Sequence, residues 1–89
     1  MMMNTHRALA RRTLVQGTED PAEIKKRSVV ISGHRTSISL ENVFWESLRD
    51  IASSHGQSVN QLVTEIDRQR TGNLSSAIRT YVLLDAVSD

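Results

Sequence analysis

The stretch Arg35-Thr36-Ser37-Ile38-Ser39-Leu40 decides the fold. Its side chains alternate with a period of two, so Thr36, Ile38 and Leu40 share a dry face while Arg35, Ser37 and Ser39 share a wet one. A strand this short carries unsatisfied amides and carbonyls on both edges, and its apolar face cannot stand in water. It therefore needs neighbours. Just upstream, Arg27-Ser28-Val29-Val30-Ile31-Ser32 is β-branched enough for a short strand, and Gly33 marks a bend. Residues 28–32 can pair with one edge as a hairpin through Ser32-Gly33-His34. The Arg35–Leu40 segment of a second chain can supply the other edge across a two-fold axis.

Downstream, the period changes to that of a helix. From Glu41 to His55, Leu40, Phe44, Leu48, Ile51 and Ala52 recur at spacings of three and four, while Glu46, Arg49 and Asp50 face away. Trp45 falls beside this stripe and is expected to pack against the extra strand or the last helix. Gly56 ends the helix. Ser58-Val59-Asn60-Gln61 offers a capping box, in which Ser58 accepts from the Gln61 amide and Gln61 returns to the Ser58 amide. Val59, Leu62, Val63 and Ile66 form the apolar stripe of this second helix, which Thr71-Gly72 ends. Asn73 caps a third helix with a stripe of Leu74, Ala77, Ile78, Tyr81 and Val82.

Eighty-nine residues with 38% hydrophobic and 3% aromatic content build only a thin core alone. Burial by a partner is the expected remedy. Two copies of Thr36, Ile38, Leu40, Phe44, Leu48, Ile51, Val59, Leu62, Val63 and Ile66 would form the core of an obligatory homodimer. The expected class is thus mainly α with a short β ribbon, in which an intertwined homodimer is extended by an upstream strand and a third, C-terminal helix.

A two-stranded antiparallel ribbon fits the major groove of B-DNA and presents one row of side chains to base edges. Arg35, Ser37 and Ser39 occupy that row, and Arg35 has the fork that matches guanine O6 and N7. The helix start at Ser58, Val59 and Asn60 offers free amides and a positive dipole end to a phosphate. Lys25, Lys26 and Arg27, just before the first strand, are further candidates for phosphate contact.

These residues resemble a known family. The alternating strand, the helix ending Ile51-Ala52-Ser53-Ser54-His55-Gly56 and the turn Gly56-Gln57-Ser58-Val59-Asn60 look like the ribbon-helix-helix DNA-binding fold of the Arc/MetJ type, over about Arg35 to Ile66. Gly33 to Leu40, Phe44-Trp45 and Asn73-Leu74-Ser75-Ser76-Ala77-Ile78-Arg79 are further similar to a subgroup of small bacterial members, extending the match to about residues 26–87. The resemblance implies base reading by Arg35, Ser37 and Ser39 and phosphate clamping at Ser58, Val59 and Asn60. Two of the three strand positions are serine, shorter than the side chains usual there.

The remaining chain adds priors. Residues 1–26 read as a flexible basic arm and linker, and 27–87 as the domain. The opening residues, with Arg7, Arg11 and Arg12 and no acid before Glu19, match a transit peptide, a mobile arm or a start codon upstream of the true one. Asp20, Pro21 and Glu23 suit one helical turn. Residues 1–40 carry a net charge of +4 and residues 41–89 a net of −3, so the first half is the candidate polyanion-facing part. The absence of cysteine excludes disulfides and thiolate chemistry and fits a cytoplasmic setting. His6, His34 and His55 lack metal-ligand spacing, and no nucleophile elbow, phosphate-cradling loop or zinc motif appears. No internal repeat stands out. The reading is a non-enzymatic, cofactor-free and metal-free DNA-binding regulator, with double-stranded DNA as partner, no membrane, and repression by occupancy. Its rivals are an antitoxin-like or adaptor protein that holds a protein partner with the C-terminal helix, and a purely structural dimerisation module.

Overall fold

The computed structural model describes residues 19–88, so the expectations placed on residues 1–18 lie outside it. Two antiparallel strands, β1 (Ile24–Ile31) and β2 (His34–Glu41), are followed by α1 (Asn42–Ser54), α2 (Val59–Gln69) and α3 (Leu74–Val87). The hairpin turn has two residues, with Ser32 at φ 51° and Gly33 at φ 83°. Positive φ at both central positions is the turn whose twist matches the flanking strands. Pairing runs from Ile31 opposite His34 to Ile24 opposite Glu41.

β1 is longer than its β-branched run indicates. Lys25, Lys26 and Arg27, expected before the strand, lie inside it. The expected linker is also too long, because the segment preceding β1 is built into the fold. Asp20 to Glu23 form a turn, not the expected helical turn: the Asp20 carboxylate accepts from the Ala22 amide at 2.9 Å. The turn serves α1, whose N-cap residue Glu41 makes no side-chain cap. The amides of Asn42 and Val43 donate instead to the carbonyls of Glu23 and Pro21, at 2.8 and 3.0 Å. The buried Asn42 side chain donates to the Asp20 carbonyl at 2.9 Å. Backbone carbonyls thus satisfy amides that a helix start leaves open.

The helix ends follow the sequence closely. Gly56 stands at φ 68°, its amide donates to Ser53 and that of Gln57 to Ala52, closing α1 with the paired bonds of a glycine C-terminal cap. Both halves of the Ser58–Gln61 capping box form, and Asn73 accepts from the Ser76 amide.

The core closes within one chain. Val29, Ile31, Ile38 and Leu40 from the hairpin meet Trp45, Leu48, Ile51 and Ala52 of α1, Leu62, Val63 and Ile66 of α2, and Ile78 and Val82 of α3. Leu40, Leu48 and Val63 are wholly inaccessible. β1 and α3, both outside the minimal strand-helix-helix unit, add apolar surface to this core. Of the residues assigned to a dimer core, Ile38, Leu40, Leu48, Ile51, Leu62, Val63 and Ile66 are buried intramolecularly, Phe44 and Val59 are half-buried, and Thr36 is exposed. Trp45 takes the central place on α1 that the sequence pattern assigns to Phe44, because positions 45, 48 and 52 form a stripe of their own at spacings of three and four. Its indole N–H donates to the Lys25 carbonyl at 2.9 Å, fastening α1 to β1.

Candidate nucleic-acid interface

Strand alternation and the observed register assign every hairpin side chain to one of two faces. Val29, Ile31, Ile38 and Leu40 point to the core. Lys26, Ser28 and Val30 of β1 and Arg35, Ser37 and Ser39 of β2 form the opposite face, and all six are exposed. The three residues expected to read bases are therefore brought together on an open surface, with three from β1 beside them.

The basic cluster separates. Lys25 and Arg27 belong to the inward side of the strand, where Lys25 is half-buried and the Arg27 guanidinium lies 5.7 Å from the centre of the Trp45 ring. Only Lys26 faces outward, directly opposite Ser39. The hairpin contains one acid, Glu41, and Arg79 of α3 holds it, Nε to Oε1 at 2.9 Å. The Arg79 hydrogen bond, with a further contribution from the Glu41 backbone, keeps this carboxyl below the usual carboxylate range. Among the described residues, Arg35 and Lys26 have no ionic partner, so the outward face is cationic.

The two helix starts that follow α1 reach the two edges of the ribbon. Next to a two-residue turn the flanking pair is hydrogen-bonded, so the amide and carbonyl of Val30 point away from β2 and those of Arg35, Ser37 and Ser39 point away from β1. On the β1 edge, the Asn60 carboxamide oxygen accepts from the Val30 amide at 3.2 Å. On the β2 edge, the Ser75 hydroxyl donates to the Ser39 carbonyl at 3.3 Å. Sequence reasoning missed both ties, because each joins residues at least 30 apart.

At the start of α2, Ser58 is committed to the capping box and accepts from the Gln61 amide at 3.1 Å. The amides of Val59 and Asn60 have no acceptor among the described residues. The Asn60 oxygen is occupied by the ribbon, which leaves its backbone amide and side-chain NH2 as donors. These groups sit beside Val30, next to the hairpin turn. His34 is exposed in the strand after the turn, and His55 is exposed at the end of α1. No group of three or more His, Asp or Glu among the described residues is placed to hold a metal ion. None of the described helices is long and apolar enough to cross a membrane.

A family model described as a ribbon-helix-helix domain matches residues 24–86. Among solved structures, the chain is similar to an uncharacterized protein from Bordetella pertussis Tohama I, with a TM-score of 0.66 and 26% identity over 85% of this chain and 67% of that one. No curated protein matches the chain.

Proposed function

The chain belongs to the ribbon-helix-helix family, whose members are in general non-enzymatic regulators that bind DNA as dimers, and on that premise we propose a sequence-specific DNA-binding transcriptional regulator. The Arg35–Leu40 strands of two copies pair as the ribbon that lies in the major groove, with Arg35, Ser37 and Ser39 toward base edges. The amides of Val59 and Asn60 clamp a flanking phosphate at the start of α2. The dimer occupies a roughly palindromic site and represses by excluding other proteins, with no chemistry.

The observation that carries this reading is the outward face of the ribbon: six exposed side chains, two cations without described partners, and the hairpin's single acid held elsewhere. Arg35 is exposed and ties nothing in the fold, so Arg35→Glu leaves the protein folded. In a gel shift against sequences selected from a random duplex pool, this variant loses specific binding. Unchanged affinity would remove the reading. Wild-type binding falls steeply as salt rises, because each phosphate contact releases counterions.

A second reading has its own observation. Leu83, Leu84 and Val87 on the C-terminal half of α3 are 61%, 60% and 64% exposed. Apolar side chains grouped in this way suit a protein partner, as in an antitoxin-like or adaptor protein. Capture of one defined partner that Leu83→Ser and Leu84→Ser abolish together, with DNA binding intact, would favour it.

A further inference from the structure

Strand alternation splits the basic cluster of β1. Lys25 and Arg27 lie on its inward side, Lys25 half-buried and Arg27 over the Trp45 ring. Lys26 and Ser28 lie exposed on the outward face, opposite Ser39 and Ser37 of β2. Lys26 has no ionic partner among the described residues. The outward side of β1 thus presents an ammonium and, two residues on, a hydroxyl, beside the row that carries Arg35.

The two edges of the hairpin differ in what they leave open. On the β1 edge, the Asn60 carboxamide closes the Val30 amide at 3.2 Å, so the start of α2 stands against that side. On the β2 edge, the amides of Arg35, Ser37 and Ser39 point away from β1, and the Ser75 hydroxyl uses one of the two lone pairs of the Ser39 carbonyl. A second copy that pairs along β2 leaves β1 of each chain as the outermost strand of a four-stranded sheet.

We infer that β1 is a backbone-gripping strand, which rests on the groove wall beside the two-chain ribbon and places Lys26 and the Ser28 hydroxyl on phosphates. This inference rests on the DNA-binding reading above, narrows the basic cluster expected from sequence to Lys26, and adds Ser28. Width carries it. The two β2 strands, about 5 Å apart, fit a major groove about 12 Å wide, whereas the two β1 axes stand three spacings apart, roughly 14 Å, over the sugar-phosphate walls. An ammonium on a flexible stem binds phosphate as a point charge and needs no fixed fork. The amides of Val59 and Asn60, proposed above to clamp a phosphate, stand beside Val30 at the turn end of the same strand. Lys26 lies four residues from Val30 along β1, about 14 Å. Each groove wall is then held at two points, by α2 amides near the turn and by Lys26 near the start of β1, while base reading stays with Arg35, Ser37 and Ser39.

The test is selection from a random duplex pool by the full chain and by its Lys26→Ala variant, followed by titration of the preferred duplex at several salt concentrations. Lys26→Ala selects the same sequence as wild type and weakens all duplexes alike. A dimer carries two copies of Lys26, so the slope of log affinity against log salt falls by about 1.8, at about 0.9 for each phosphate contact. Lys26→Arg keeps the wild-type slope. Ser28→Ala lowers affinity at unchanged selection and unchanged slope, because a hydroxyl displaces no counterion. A Lys26→Ala variant with the wild-type slope overturns the inference. Loss of selection at one base pair by that variant places Lys26 on a base edge and overturns it equally, and both outcomes leave the DNA-binding reading intact. Failure of the wild type to select any sequence removes that reading and this inference with it.

Discussion

Arg79 on α3 grips both carboxylate oxygens of Glu41, the residue at which β2 ends and α1 begins, with Nε to Oε1 at 2.9 Å and Nη2 to Oε2 at 3.4 Å. The guanidinium also lies 5.9 Å from the centre of the Phe44 ring. The pair roots α3 against the base of the ribbon. Glu41 lies six residues beyond Arg35 on β2, about 20 Å along the strand, so the pair leaves the charge of Arg35 untouched.

The depressed pKa of Glu41 makes this pair sensitive to acid, and the sign follows from linkage. A carboxyl whose folded pKa lies below its unfolded value contributes stability that is fully present above the unfolded pKa. That contribution is lost as pH falls through the folded one, and Arg79 stays charged throughout. Thermal unfolding of wild type and Glu41→Gln should therefore differ most near neutral pH. The gap should close as pH drops below the usual carboxylate range. A gap that is constant with pH would mean that Glu41 acts by packing or geometry alone.

The turn offers a gain in stability. Ser32 holds φ 51° without the freedom of glycine, in a two-residue turn that favours Asn-Gly. Ser32→Asn keeps the side chain short and polar in an exposed position and places a residue that tolerates the left-handed region. It should recover part of the roughly 1–2 kcal/mol which that conformation costs. Urea denaturation should show a higher midpoint at unchanged slope, while binding to a preferred duplex stays the same.

Trp45 joins three features: it is 4% exposed, it donates to the Lys25 carbonyl, and it carries Arg27 over its ring. Trp45→Phe keeps most of the apolar volume and removes the donor, so it should cost about 1–3 kcal/mol, the hydrogen bond and the volume lost being comparable terms. Trp45→Ala should cost about 3–5 kcal/mol. Circular dichroism in a denaturant series measures both, since the tryptophan removed is the only one in the chain. Hydrogen exchange should show β1 losing protection first, because the indole is its link to α1.

The legible parts of the fold were those written in local spacing. The capping box at Ser58, the glycine stop at Gly56, the Asn73 cap and the alternation from Arg35 to Leu40 each depend on residues a few positions apart, and each is present in the structure. What escaped depends on distance or on length. Lys25 and Lys26 carry little strand propensity, so from sequence β1 starts later; its first residues are strand because β2 pairs with them. The placement of Trp45 required knowing that β1 would cover it. The outward placement of Arg35, Ser37 and Ser39 was readable from alternation alone. The tie from Asn60 to Val30 was not.

A core completed within one chain changes what dilution does. In an obligatory intertwined dimer, folding and association are one step, and each tenfold dilution costs about 1.4 kcal/mol of apparent stability. Here Leu40, Leu48, Leu62 and Val63 are at most 1% exposed within one chain, and each ribbon edge is tied by a helix of that same chain. The unfolding midpoint should therefore stay constant over about a hundredfold range of protein concentration in the absence of DNA. Dimers, where they form, should dissociate on dilution into folded chains with unchanged circular dichroism. A midpoint that rises steadily with concentration would show that the second chain completes the core.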